Sequence, residues 1–299
     1  MKLLEKYKLI ALEDLKVSPS RLLFFEAAFH ELNSACRPII VADKTKPLDA
    51  VFQYFVEDES INTSKSISFG GFDFSVQYSE RSEFVERIIC FLNEKYPNQK
   101  IRHISAPQVY FDYVQDVDAV CKVRAEELLQ WKNHYLKVTS SSLSSQWNYS
   151  DLKKLRKCER SKFHSKKLDL KYLKQAYDVI ATGWQSKGFI PSMTFDKLNL
   201  VAERYPNDYM LYASFDGMEI IASAIVIRIT AKIWYVFYLG FLPEYHLYSP
   251  NRFLMNYIYQ KAQEHQVDII DMGTSINEGV SAFKERLGCE VCEKNKFLL

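Results

Sequence analysis

The chain has 299 residues, 47% of them hydrophobic, enough for one large core or two ordinary ones. Its 39 basic and 37 acidic side chains nearly cancel to +2, so there is no global field of the kind that holds duplex nucleic acid. Cysteines at 36, 90, 121, 158, 289 and 292 are too scattered for a disulfide framework and read as reduced thiols. The charged opening Met1-Lys2-Leu3-Leu4-Glu5-Lys6 lacks a leader's apolar run, and no apolar stretch reaches bilayer length. The expectation is a cytoplasmic protein without a transmembrane segment.

In chain order, residues 21–32 predict a helix, and residues 38–42, 50–56 and 66–69 predict strands. Gly70-Gly71-Phe72 closes this run. Residues 83–96 predict a helix with Phe84, Ile88, Phe91 and Leu92 on one side, and residues 101–104 a strand. Residues 135–150 include Thr139-Ser140-Ser141-Ser142 and Ser144-Ser145, the low-complexity stretch of the chain. It marks a boundary between domains 1–142 and 143–299.

The second half is clearer. Leu170, Leu173, Ala176, Tyr177, Ile180 and Trp184 recur at helical spacing across residues 168–185. Strands are predicted over 209–215, 220–230 and 233–239, the first two joined by an Asp216-Gly217 turn. Ser249-Pro250 reads as a capping hydroxyl followed by proline at the first helical position. The helix carries Leu254, Tyr257, Ile258 and Ala262. A buried strand over 267–272, a short helix over 280–287 stopped by Gly288, and a strand over 290–298 complete the order. The first half repeats the middle of this pattern, with Gly70-Gly71 standing where Gly240 stands later.

Three motifs carry a resemblance. They are Phe283-Lys284-Glu285-Arg286-Leu287-Gly288, the basic helix over residues 150–160, and Phe69-Gly70-Gly71-Phe72. With the repeated element order they resemble the GNAT (acyl-CoA N-acyltransferase) superfamily, and within it the Fem-type peptidoglycan aminoacyl transferases and related acetyltransferases. The resemblance implies an α/β (α+β) chain of two tandem GNAT-like domains, with mixed central sheets flanked by helices. Domain 1–142 would be the degenerate acceptor side and domain 143–299 the donor side.

It also implies a donor site. Phe241, Pro243, His246, Ser249, Asn251 and Leu254 fall in register with the superfamily's pyrophosphate motif, with Ser249 and Asn251 in place of its glycines. A helix N-terminus there still offers N–H groups to an anion, and Arg252 adds a cation. Leu239, Gly240 and Phe241 lie where the donor's arm would meet exposed backbone, and Gly240 permits the close approach of a ligand or another chain. Ser275 and Asn277 sit in the polar loop after the buried strand. The donor would be acetyl-CoA or another acyl-CoA, or an aminoacyl-tRNA held by the cluster Lys153, Lys154, Arg156, Lys157, Arg160, Lys162, Lys166 and Lys167. The acceptor would be an amine of a cell-envelope or sugar-linked precursor in the inter-domain cleft.

For the chemistry, Lys284 would stabilise the developing oxyanion, Glu244 would act as base, and Tyr238 as acid. Tyr235 and Tyr238 fall on opposite strand faces by period-two alternation. Cys289-x-x-Cys292 is an isolated pair, so no metal is expected. Plainer roles compete throughout: a helix cap at Ser249, a solvated face for the basic run, core packing for Tyr238. The rival reading is a GNAT-fold ligand-binding protein that has lost its chemistry.

Overall fold

The computed structural model describes residues 6–10, 38–64 and 68–299. The helix expected over 21–32, and part of the strand expected over 66–69, lie outside the described residues. In chain order the elements are β1 (Tyr7–Ile10), β2 (Ile39–Asp43), β3 (Ala50–Val56), β4 (Ser60–Asn62), β5 (Phe72–Phe74), α1 (Arg81–Lys95), β6 (Lys100–Ile104), α2 (Tyr113–Arg124) and β7 (Glu127–Lys137). Then come α3 (Tyr149–Arg160), β8 (His164–Leu168), α4 (Leu173–Gln185), α5 (Phe195–Arg204), β9 (Tyr209–Asp216), β10 (Glu219–Arg228) and β11 (Ile233–Phe241). The chain closes with α6 (Pro250–Glu264), β12 (Ile269–Thr274), α7 (Glu278–Leu287) and β13 (Glu290–Leu298). Among the described residues no helix is long and apolar enough to cross a membrane.

The chain forms two compact units. The first holds the described residues up to Lys132 together with Cys292–Leu299, and the second holds Asn133–Val291. The serine-rich segment is therefore not the whole division. The end of β7 belongs to the second unit, and most of β13 to the first.

In the first unit β1, β2 and β3 are antiparallel neighbours, and β3 also pairs with β4 and β5. β4 runs parallel to β6, and β13 adds to β6 antiparallel. Phe52, Tyr54, Phe72 and Phe74 from the sheet pack against Phe84, Ile88 and Leu92 of α1, Val114 and Val117 of α2, and Phe297 of β13. Every residue of β3 but Val56 is buried, so its run of apolar and aromatic side chains serves both sheet faces.

In the second unit β8, β9, β10 and β11 are antiparallel, β11 is parallel to β12, and residues 133–137 of β7 pair with β12. Alternation along β10 sends Ala222, Ala224 and Val226 to a core shared with Leu254, Met255, Ile258 and Tyr259 of α6. Ser223 points the other way and donates to the Ala176 carbonyl of α4 at 2.6 Å. Burial of these two faces supplies the main stabilisation of the unit.

α4 lies close against β11 because each side has a glycine at the crossing. A Cβ on Gly240 would stand 2.6 Å from the Ile180 Cα, and one on Gly183 would stand 2.2 Å from the Phe241 carbonyl oxygen. Gly240 does permit a close approach, but the neighbour is this helix of the same chain.

Candidate functional site

The site forms where β11 and β12 part. Their parallel pairing spans three positions and ends at Tyr235 opposite Asp271. Just beyond, β11 holds an extra residue: Val236 pairs with Val226, but Tyr238 pairs with Ile225, leaving Phe237 over. This bulge bends the strand away from β12 and resets its alternation. Tyr235 and Tyr238 oppose Ile227 and Ile225, two apart on β10, and so share a face. The opposite-face expectation fails because uninterrupted alternation does not foresee the inserted residue.

Beside the parting, α7 turns Lys284 back toward the end of β12. Its Nζ donates to the Gly273 carbonyl at 2.8 Å and the Thr274 carbonyl at 3.1 Å. An ammonium has three hydrogens, so one remains for a ligand. The side chain is 6% exposed, and desolvation brings its pKa down to about 8, opposed by the nearby Asp271 and Cys289. Lys284 therefore changes charge in the pH range where amine chemistry runs.

Neighbouring groups fix that geometry. The Asp271 carboxylate accepts from the Gly273 N–H and from Asn133 Nδ2, both at 2.7 Å. His134, fully buried on β7, meets Ser275 Oγ through Nδ1 at 2.9 Å and Ser281 Oγ through Nε2 at 3.2 Å. Ser281 donates its own hydrogen to Glu285, so its oxygen is left to accept from Nε2–H of His134. His134 thereby ties the loop before α7 and the first turn of α7 to one strand. Asn277 caps the same helix by accepting from the Val280 N–H at 2.9 Å.

The remaining predicted residues lie in other surroundings. Tyr238 is buried, and its hydroxyl accepts from the Met193 N–H at 2.8 Å and bonds Ser192 Oγ at 2.9 Å. Burial raises its pKa, and the hydroxyl anchors the segment after α4. The Leu239 carbonyl accepts from Trp184 Nε1 at 2.9 Å, and Lys187 lies over the Phe241 ring. Glu244 and His246 are exposed in the turn before α6, with His246 Nδ1 3.1 Å from the Pro243 carbonyl oxygen.

Ser249 holds the N-cap position of α6 at φ 58°, and its side chain makes no capping bond. A residue before proline is pushed out of the helical region, and here it takes the left-handed one rather than the extended one a cap needs. The half-buried Asn251 has its Oδ1 without a partner. Arg252 is committed elsewhere, to a buried ion pair with Asp151. The cation that does lie beside this turn is Lys157, whose Nζ stands 4.1 Å over the Tyr248 ring.

Sequence reasoning brought Lys284, Ser275 and Asn277 to one place. It missed Asn133 and His134, which arrive on a strand from the first half of the chain. It also missed Ser281, whose signal was one helical turn before Glu285 on the helix of Lys284.

Residues 149–285 match the family model described as "Acetyltransferase (GNAT) domain". No curated protein matches the sequence. Among solved structures the chain is similar to FemX, at 11% identity and TM-score 0.69, over 98% of this chain and 97% of that one. It is similar to a conserved protein of unknown function from Bacteroides thetaiotaomicron, at 10% identity and TM-score 0.63, over 98% and 99% of the two chains. It is also similar to the C-terminal domain of a proposed lysylphosphatidylglycerol synthetase from Agrobacterium fabrum, at 10% identity and TM-score 0.61, over 91% and 86%. At these identities the likeness is one of fold. With the family match over residues 149–285 it supports the GNAT superfamily and a mixed α/β fold.

Proposed function

We propose that this chain is an acyltransferase that moves an acyl or aminoacyl group onto an amine, with Lys284 at the reacting carbonyl. The observation that carries the reading is a desolvated ammonium with one free hydrogen, held at the point where two parallel strands part. A cation there stabilises a tetrahedral oxyanion more strongly than it would in water. The parting leaves strand backbone to hold the donor's arm, and the family match to residues 149–285 supports placing the donor in the second unit.

The donor is an acyl-CoA in this reading, with its phosphates at the turn before α6. Lys157 takes the part first given to Arg252, while His246, Ser249 and Asn251 line the same turn. The names of FemX and of the lysylphosphatidylglycerol synthetase keep an aminoacyl donor in view. The test is incubation of the purified chain with acetyl-CoA and a set of primary amines, including amino sugars and lysine peptides, with products read by mass spectrometry. Acylated product lost in Lys284→Met supports the proposal. Turnover unchanged in that variant removes Lys284 from the chemistry. No product with acyl-CoA, but product with aminoacyl-tRNA, moves the donor to the aminoacyl class.

One observation favours a second reading, a binding protein without turnover. The Leu239 carbonyl, on the stretch of β11 beyond the bulge, already accepts from the Trp184 indole. A donor arm using that carbonyl must displace the indole. Binding of CoA by calorimetry without product from either donor class selects this reading.

A further inference from the structure

The charge of this chain is unevenly placed. Residues 153–167 hold eight lysines and arginines against one carboxylate, Glu159, a local charge of +7 in a chain whose total is +2. The rest of the molecule therefore carries −5. Lys153, Arg156, Arg160, Lys162, Lys166 and Lys167 are exposed on α3, the following turn and the edge strand β8. Among the described residues none of the eight cations forms an ion pair with an acid.

The end of the sheet next to this cluster carries bare aliphatic tips. The start of β8 pairs with the end of β9, His164 opposite Phe215, which brings the β9–β10 hairpin alongside. Met218 at that hairpin is 98% exposed. The turn before α6 reaches the hairpin through the Tyr245 hydroxyl, whose one hydrogen goes to Glu219 at 2.8 Å or to Asp216 at 3.3 Å. Leu247 in that turn is 62% exposed. In the same turn as Leu247 are Tyr245 and Tyr248, packed on Phe163 at ring separations of 5.9 and 5.0 Å.

We propose that this end of the second unit docks on an anionic lipid bilayer surface. Met218 and Leu247 would enter the acyl boundary, Tyr245 and Tyr248 would sit at headgroup depth, and Arg160, Lys162, Lys166 and Lys167 would meet lipid phosphates. Exposed apolar side chains beside free cations are the pattern of an interfacial anchor, and no spanning helix is needed. An RNA backbone would satisfy the same cations. However, base stacking needs open ring faces, and those of Tyr248 and Phe215 are covered: Lys157 lies over Tyr248, and His164 and Lys166 lie against Phe215. The exposed Tyr149 stands at the other end of α3 from Lys162, Lys166 and Lys167. The carboxylates Asp216, Glu219 and Glu244 lie at this end too; the first two are engaged by Tyr245, and all three lie outside the run of cations. The proposal shares the turn before α6 with the donor reading, but Met218, Lys162 and Lys166, which its test varies, take no part in that reading.

The test is flotation of the full chain with vesicles of phosphatidylcholine alone and of equal parts phosphatidylcholine and phosphatidylserine. The expected result is flotation with the anionic vesicles only, weakened by added salt. Lys162→Ala and Lys166→Ala should each lower the partition coefficient about fivefold. Met218→Ser with Leu247→Ser should lower it roughly tenfold or more while leaving the melting temperature unchanged, since both side chains are exposed. Absence of flotation with anionic vesicles overturns the proposal. So does flotation indifferent to the Met218 and Leu247 substitutions, or tighter binding of a single-stranded RNA oligomer, which would make the face a nucleic-acid surface.

Discussion

The guanidinium of Arg252 meets the carboxylate of Asp151 at 2.6 Å, with both side chains 3% exposed. The pair joins the first turn of α3 to the first turn of α6 beneath the Trp147 and Phe283 rings. Arg252 Nε and Nη2 and Asp151 Oδ2 have no hydrogen-bond partner. Burial lowers the arginine's pKa, while Asp151 opposes the shift. Such a pair is costly to bury and costlier to break from one side. Arg252→Ala should destabilise the chain by about 3–5 kcal/mol in urea unfolding, because Asp151 is left buried and unpaired. Arg252→Met combined with Asp151→Leu should recover most of that loss. A variant that keeps its stability yet loses CoA affinity would instead assign Arg252 to the ligand.

Lys284 gives a pH signature. Its pKa in the folded chain is about 8, against 10.5 for an unperturbed lysine. Below about pH 8 it is protonated in both folded and unfolded chains. Between the two values the unfolded chain binds more protons, so the lysine's contribution to stability rises with pH across that window. The acyl-transfer rate should move the opposite way and fall as pH passes through about 8, because the oxyanion loses its cation. Lys284→Met should remove both the stability rise and the alkaline limb. A rate profile flat through pH 8 to 10 would detach the ammonium from catalysis.

Much of the second unit was legible because its side chains obey simple periods. β9, β10 and β11 are near-continuous apolar runs bounded by turns, and α6 places Leu254, Ile258 and Ala262 on one face after a proline. The first half was less legible. α2 turns Asp118 and Cys121 inward with Val114 and Val117 and leaves Val123 exposed, so its polar and apolar faces blur. β7 was missed because its first residues are exposed and irregular in pattern and its later ones buried. The site suffered most where a single residue breaks a rule. Phe237 reverses the facing of everything after it, and Ser249 turns left-handed before a proline. His134 comes from 150 residues before Lys284, a separation across which local spacing carries no information.

The glycine at 240 separates packing from ligand contact. Gly240→Ala places a methyl 2.6 Å from backbone of α4, which cannot yield as a side-chain tip would. The helix must shift, and the expected loss is about 1–3 kcal/mol in thermal or urea unfolding. Because Trp184 on the same helix bonds Leu239, its fluorescence should change in the folded variant. An unchanged stability with weakened donor binding would give Gly240 the ligand role expected of it from sequence.

The first compact unit depends on a strand from the far end of the chain, Cys292–Leu299, so removing these last residues should damage it. Residues 292–299 pair with β6 at Lys296, Phe297 and Leu298, and Leu299 exchanges backbone bonds with Ile101. Phe297 is fully buried in the core with α1 and α2, and Asn295 donates to the buried Asp118 carboxylate at 2.6 Å. Burial raises the Asp118 pKa against the bonds from Ser105 and Asn295. Deleting residues 292–299 takes away a strand, an aromatic core side chain and one of the donors that hold this carboxylate. Loss of a large buried aromatic alone costs about 3–5 kcal/mol, a large share of a domain's stability. Hydrogen exchange on the truncated chain should lose protection in β4 and β6 while β9 and β10 retain theirs. A synthetic peptide of residues 290–299 should restore it, since the missing strand is then supplied in trans. Protection in β6 that survives the deletion would mean that β4 and the helices hold the first unit without its exchanged strand.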